Sequence, residues 1–169
     1  MEKPNILALS PQELRQFLVE LGEKPYRAGQ ILGWLYHKGA QSWGEMTDLP
    51  KALRDKLAAL AEIGLLPLVK KQLSADGTGK YLSALADGQT VETVLLPYDI
   101  GSGACISTQV GCKMGCRFCA SGLPGFIRNL SAAEIMAQVL LVKGELGKRG
   151  LKLKRLVLMG TGEPLDNYD

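Results

Sequence analysis

The chain has 169 residues, 46% hydrophobic and 22% charged, and a formal net charge of only +3. That composition is a globular protein's, with enough apolar residues to bury a core, and the mild positive charge does not by itself mark a nucleic-acid binder. No run approaches the ~18 consecutive apolar residues of a membrane helix, and "MEKPNILALSPQE" has no apolar signal segment; a cytoplasmic protein with reduced thiols is expected.

The first third reads as helices. "SPQELRQFLVELG" opens with Ser10 as N-cap, Pro11 at the first helical position and Glu13 completing a capping box. Leu14, Phe17, Leu18 and Leu21 then fall on one face. "YRAGQILGWLYHKGA" repeats the pattern through Ile31, Trp34 and Leu35, and Gly39 suits a stop. "DLPKALRDKLAALAEIG" predicts a third helix, with Asp48 before it and Gly64 after it. Its cations are matched by as many acids, and residues 1–66 read as a small helical domain.

Residues 67–98 change texture. Period-two runs separated by Asp76-Gly77 and Asp87-Gly88 predict a meander of three strands. From residue 99 onward a strand in "ACISTQV" leads into a cysteine-rich loop. A helix in "LSAAEIMAQVLLVKGELG" follows, with a Ser131/Glu134 capping box and an apolar stripe of Ile135, Val139 and Leu146. The strand "RLVLMG" and the loop "TGEPLDNYD" complete a βαβ unit, which implies parallel strands and an α/β fold. An eight-fold barrel takes about 250 residues. Residues 99–169 hold about two of its ~30-residue units, so an incomplete barrel domain in the N-terminal part of a longer protein is expected.

The loop "GCKMGCRFCA" carries Cys112, Cys116 and Cys119 in the spacing C-x3-C-x2-C. Thiolates suit zinc, copper(I) or iron–sulfur clusters. Structural zinc usually takes four protein ligands, often as two pairs. The single histidine, His37, lies far away on a helix. An electron-transfer 4Fe–4S cluster takes four cysteines. Three on one loop can hold three irons of a cube and leave the fourth open to a small molecule, as catalytic metal sites leave a position for substrate. Two blander readings stay beside it: structural zinc with Cys105 as fourth ligand, and chance spacing. Gly160, Gly162 and Glu163 fall just past a strand end, where barrels build active sites. Glycines admit a ligand to the backbone and a carboxylate can pair with an ammonium group, although the same segment reads as a Gly-rich turn.

The C-x3-C-x2-C spacing, with Phe118 directly before the last cysteine, resembles the radical S-adenosylmethionine superfamily. Together, "CISTQVGCKMGCRFCASG", "NLSAAEI", "VLMGTGEPLDNYD", "DGTGKYLSALADGQTVETVLLP", "YRAGQILGWLYHKG" and "MTDLPKALR" are similar to its enzymes that methylate C2 of an adenine in 23S rRNA and in tRNA. The resemblance implies one 4Fe–4S cluster on Cys112, Cys116 and Cys119, and S-adenosylmethionine on the open iron. Phe118 would lie near the adenine, and Gly162 and Glu163 by the methionine amine. It also implies a helical domain that helps engage RNA, and an external electron donor such as flavodoxin. In that family one S-adenosylmethionine methylates a cysteine near the C-terminus. A second supplies the radical that activates this methyl group for addition to C2, where a polar methyl transfer would fail. Cys105 matches the cysteine that resolves the resulting adduct through a disulfide, and Glu92 the proposed proton acceptor. Read alone, Cys105 is equally a buried structural thiol and Glu92 a solvated strand position.

Three further readings stay open. A relative of the same family methylates adenine C8, and the cysteines do not separate the two. A zinc- or cluster-stabilised RNA-binding module without catalysis would also use them. The run Lys143, Lys148, Arg149, Lys152, Lys154 and Arg155, with Glu145 among them, can bind phosphates or form a solvated helix end.

Overall fold

Ser10 starts the first helix as its side chain predicts. In the computed structural model, which describes residues 3–98 and 101–168, the Ser10 hydroxyl accepts the Glu13 N–H at 3.3 Å. The Glu13 carboxylate accepts the Ser10 N–H at 2.7 Å in return. This box satisfies two donors that an uncapped helix end leaves free and fixes α1 over Pro11–Glu20. The chain divides into two compact units, residues 1–65 and 66–169.

In the first unit α1 is followed by α2, Arg27–Leu32, and α3, Lys51–Leu60. Leu14, Leu18, Ile31, Leu35 and Leu57 are fully buried, with Leu53 close to it. Burying each such side chain stabilises by about 1.5–3 kcal/mol. One expectation is corrected. The second helical stretch is not one α-helix: α2 passes into a π-helical segment, Gly33–Lys38, that ends at Gly39 with φ 72°. Asp48 does not cap α3, because its carboxylate accepts the indole N–H of Trp34. The helix begins instead after Pro50, without a side-chain cap.

The second unit is built on one five-stranded sheet in the order β1-β2-β3-β4-β7. The meander strands β1 (Leu68–Leu73), β2 (Gly79–Ala84) and β3 (Thr90–Leu96) are antiparallel. Gly77 and Gly88, at φ 86° and 82°, turn the chain between them, and Asp76 and Asp87 accept the N–H groups of Thr78 and Gln89. β3 then pairs antiparallel with β4, Ser102–Cys105. The meander and the following segment therefore share one sheet, although composition alone separates 67–98 from 99–169.

Parallel pairing joins β4 to β7, Leu153–Val157, through α4, Ala132–Gly147. This is the expected βαβ unit, and the fold is α/β with a mixed sheet. α4 carries the Ser131/Glu134 box and covers one sheet face. Tyr81, Leu95, Ala104, Ile106, Val139, Val142 and Leu146 form the core there. At its far end Glu145 is 6% exposed and pairs with Lys71 and Lys148. The lone acid of the basic run is thus buried, held charged by two lysines against the cost of desolvation. β7 is an edge of the sheet, and Leu156 within it and Leu158 just after it are about half exposed.

Candidate active site at the carboxyl ends of the parallel strands

The stretch "ACISTQV" forms two short strands. β4 ends at Cys105; Ile106 N–H then donates to Val157 O at 3.0 Å and Thr108 N–H to Thr161 O at 2.9 Å. β5, Gln109–Val110, follows and pairs antiparallel with β6, Arg128–Asn129. The two close the neck of a loop, residues 111–127, that holds Cys112, Cys116 and Cys119. Gly111 sits at φ 72°, and a Cβ there would lie 1.7 Å from Gly125 O. Only glycine admits the returning leg of the loop at this point.

All four cysteines are free thiols; Cys116 is exposed, and Cys105, Cys112 and Cys119 are half-buried. The Cys119 N–H donates to Cys116 O at 3.0 Å, which curls the last turn of the motif. Hydrogen bonds from the Ser121 backbone and side chain hold the Cys119 thiol below the ordinary cysteine range. Among the described residues no three His, Cys, Asp or Glu side chains converge on a point that one metal ion could occupy. A single tetrahedral zinc needs its sulfurs about 2.3 Å from one centre. A 4Fe–4S cube takes each thiolate on a different iron, so it does not require that convergence. Three soft, free thiols on one loop, with N–H donors aimed at one sulfur, fit such a cluster.

The Gly-Glu segment leaves β7 beside this loop. A Cβ on Gly160 would meet Ser107 Oγ at 2.6 Å and Ile106 O at 2.8 Å. Gly162, at φ 113°, packs its backbone on Gln109, where a Cβ would lie 2.7 Å from Gln109 Cβ. Both glycines therefore permit close approach of backbone to backbone. The Glu163 carboxylate accepts Leu165 N–H at 3.0 Å and caps the short 3-10 turn Pro164–Asp166.

Glu92 and Cys105 lie on the sheet face opposite α4. Val94 is paired with Cys105, and Glu92, two residues along β3, shares its side. Burial pushes the Cys105 thiol up and the Glu92 charge adds to this, against a hydrogen bond with the Met159 backbone. Glu92 is paired with Lys80 at 3.1 Å. Phe118 is 94% exposed, and His37 is an exposed position of the helical unit.

Residues 4–63 match the family model described as the ribosomal RNA large subunit methyltransferase N-terminal domain. A probable dual-specificity RNA methyltransferase RlmN from Bacillus velezensis is 48% identical over 168 residues, which are 99% of this chain and 46% of that protein. Its counterpart from Geobacillus thermodenitrificans is 49% identical over 166 residues, 98% of this chain and again 46% of the relative. The crystal structure of a radical SAM methyltransferase from Sphaerobacter thermophilus superposes with a TM-score of 0.89 at 41% identity, covering 98% of this chain and 49% of that one. The chain is similar to RlmN relatives along almost its whole length. It spans about half the length of the curated relatives it matches.

In this chain three polar residues that no sequence motif marks organise the site. Gln138, fully buried in α4, accepts from Thr93 Oγ1 at 3.1 Å and Ser107 N–H at 2.9 Å, and donates to Ser107 O at 2.9 Å. Ser107 Oγ donates to Glu92 O at 2.7 Å and accepts Thr161 N–H at 2.9 Å. Gln109, also fully buried, accepts Glu163 N–H at 3.0 Å and donates to Asn129 Oδ1 and Asp166 Oδ2. The available signal was a run of polar residues, Ser107 to Gln109, inside an otherwise apolar strand pattern.

Proposed function

We propose that this chain supplies the RNA-engaging helical unit and the cluster- and nucleotide-binding half of a radical S-adenosylmethionine methyltransferase. The reaction is methylation of C2 of an adenine in 23S rRNA and in tRNA through a methyl-cysteine intermediate. The observation that carries this reading is the pairing of two loops at the carboxyl ends of β4 and β7: one with three free thiols, the other with Gly162 and Glu163. Ligands of α/β folds bind at such strand ends, and the 48% identity to RlmN relatives supports the same assignment.

Cys112, Cys116 and Cys119 would hold a 4Fe–4S cluster that leaves one iron open to S-adenosylmethionine. When bound, the pair supplies one-electron chemistry, with the electron coming from an external donor such as flavodoxin. Glu163 would pair with the methionine ammonium, the Gly162 backbone would approach the same moiety, and the exposed Phe118 ring would cover the adenine. Glu92, which pairs with Lys80 at 3.1 Å, would accept the proton lost from the methylated carbon. Cys105, on the same sheet face, would resolve the protein–RNA adduct by forming a disulfide. Its protonated state at rest suits a thiol that acts late. The cellular setting is the cytoplasm, where RNA is modified and thiols stay reduced; no helix among the described residues is long and apolar enough to cross a membrane.

Anaerobic reconstitution of the chain with iron and sulfide tests the cluster. Iron and sulfide in equal amounts with a broad visible absorption band support it; a colourless protein holding one zinc overturns it in favour of a non-catalytic module. Product analysis of RNA methylated by the full-length protein distinguishes C2 from C8 of adenine.

A further inference from the structure

The cysteine loop and the Gly-Glu segment are joined at two levels. At the neck, Gln109 from β5 holds the Glu163 N–H, Asn129 and Asp166 Oδ2. Above the neck, Lys113, directly after Cys112, reaches the other oxygen of the same carboxylate, Asp166 Oδ1, at 2.8 Å. Asp166 therefore receives one bond from the base of the loop and one from its rising leg. Its own backbone is held as well: Asn129 Nδ2 donates to Asp166 O at 3.3 Å, and the next residue, Asn167, donates from Nδ2 to Thr108 O and Leu130 O.

We propose that Asp166 is a positioning residue which, clasped by Lys113 and Gln109, registers the cysteine loop against the Gly-Glu segment. The inference rests on the reading of those two segments as the cluster and nucleotide sites. Its physical reason is the exposure of the loop: residues 113–118 are all solvent-exposed, so few apolar contacts restrain them, and an order-restoring contact must come from polar groups. The Lys113 side chain is 53% exposed and that of Asp166 22%. This geometry limits the pair to a modest local effect. The neck, sealed by a buried glutamine, keeps its shape without it.

The test is a cycle of variants in the 169-residue chain. Asp166→Asn keeps an acceptor for Gln109 and removes the charge that faces Lys113. Lys113→Met removes the other partner, and Lys113→Arg keeps the charge. In the metal-free chain, amide hydrogen exchange across residues 111–127 is expected to quicken about two- to five-fold in Asp166→Asn and in Lys113→Met. The double variant should be no faster than either single one, and Lys113→Arg should match the parent. After reconstitution, the spectroscopic response of the cluster to added S-adenosylmethionine should weaken in the same two variants and recover in Lys113→Arg. Exchange at parental rates in both single variants, or effects that add in the double, overturns the clasp. A parent that takes up no iron overturns the cluster reading instead, while the exchange comparison still decides the clasp.

Discussion

The side-chain carbonyl of Gln109 accepts the backbone N–H of Glu163 at 3.0 Å, across 54 residues of sequence. One fully buried amide thus ties the strand that enters the cysteine loop to the segment that follows β7. Replacing it with leucine keeps the volume and removes an acceptor and two donor bonds. Each polar group left buried without a partner costs about 1–3 kcal/mol. Gln109→Leu is expected to lower the unfolding free energy by at least that amount, measured by urea denaturation. A midpoint equal to the parent's would mean that the Glu163 and Asn129 groups find other partners.

Arg128 donates to both oxygens of Glu134 at 2.9 Å. Burial alone would raise the Glu134 carboxyl, but the hydrogen bonds from Arg128 and Ser131 outweigh it and hold it below the ordinary value of 4.5. A depressed carboxyl contributes stability above its unfolded value and loses it as pH falls through the folded one. The pair should therefore stabilise fully above about pH 5 and fade below it, by about 1–3 kcal/mol for hydrogen bonds to a charged group. Glu134→Gln retains a side chain that can close the capping box. Its urea midpoint should lie below the parent's at pH 7 and converge with it toward pH 3; a constant gap over that range would contradict the assignment.

Gly162 combines φ 113° with a Cβ position 2.7 Å from Gln109 Cβ. Gly162→Ala is expected to cost about 1–3 kcal/mol in backbone strain and to displace Glu163. In the reconstituted chain, S-adenosylmethionine affinity measured by calorimetry should fall at least ten-fold. Unchanged affinity would remove Gly162 from the nucleotide site.

Each of Cys112→Ser, Cys116→Ser and Cys119→Ser should abolish most iron uptake, because a cluster on three thiolates loses a corner with any one of them. Cys105→Ser should load as the parent does. Cys105 belongs to β4, outside the loop that the β5–β6 neck closes. Loss of metal in Cys105→Ser would restore the four-cysteine zinc reading.

Much of this was written locally. Ser10 with Glu13 and Ser131 with Glu134 specify two helix starts because a capping box is made within four residues. Asp76-Gly77 and Asp87-Gly88 specify the meander because positive φ is a property of the turn residue itself. The βαβ unit and the loop of three cysteines follow from pattern and spacing in the same way. Asp48 shows the converse: a side chain that can cap a helix serves whichever donor reaches it, and here that is the Trp34 indole fourteen residues away.

What only tertiary structure decided is the polar stitching of the site. Gln109, Ser107 and Gln138 carry no spacing rule, since a buried amide or hydroxyl is defined chiefly by partners 15 to 57 residues distant. The same holds for the pairing of β3 with β4, which joins meander and barrel strands in one sheet, and for Glu145, a charge that reads as solvated until Lys71 is seen beside it. Short-range chemistry is legible in the chain because its partners are covalently near. Long-range hydrogen bonds appear only when folding has brought both ends to one place.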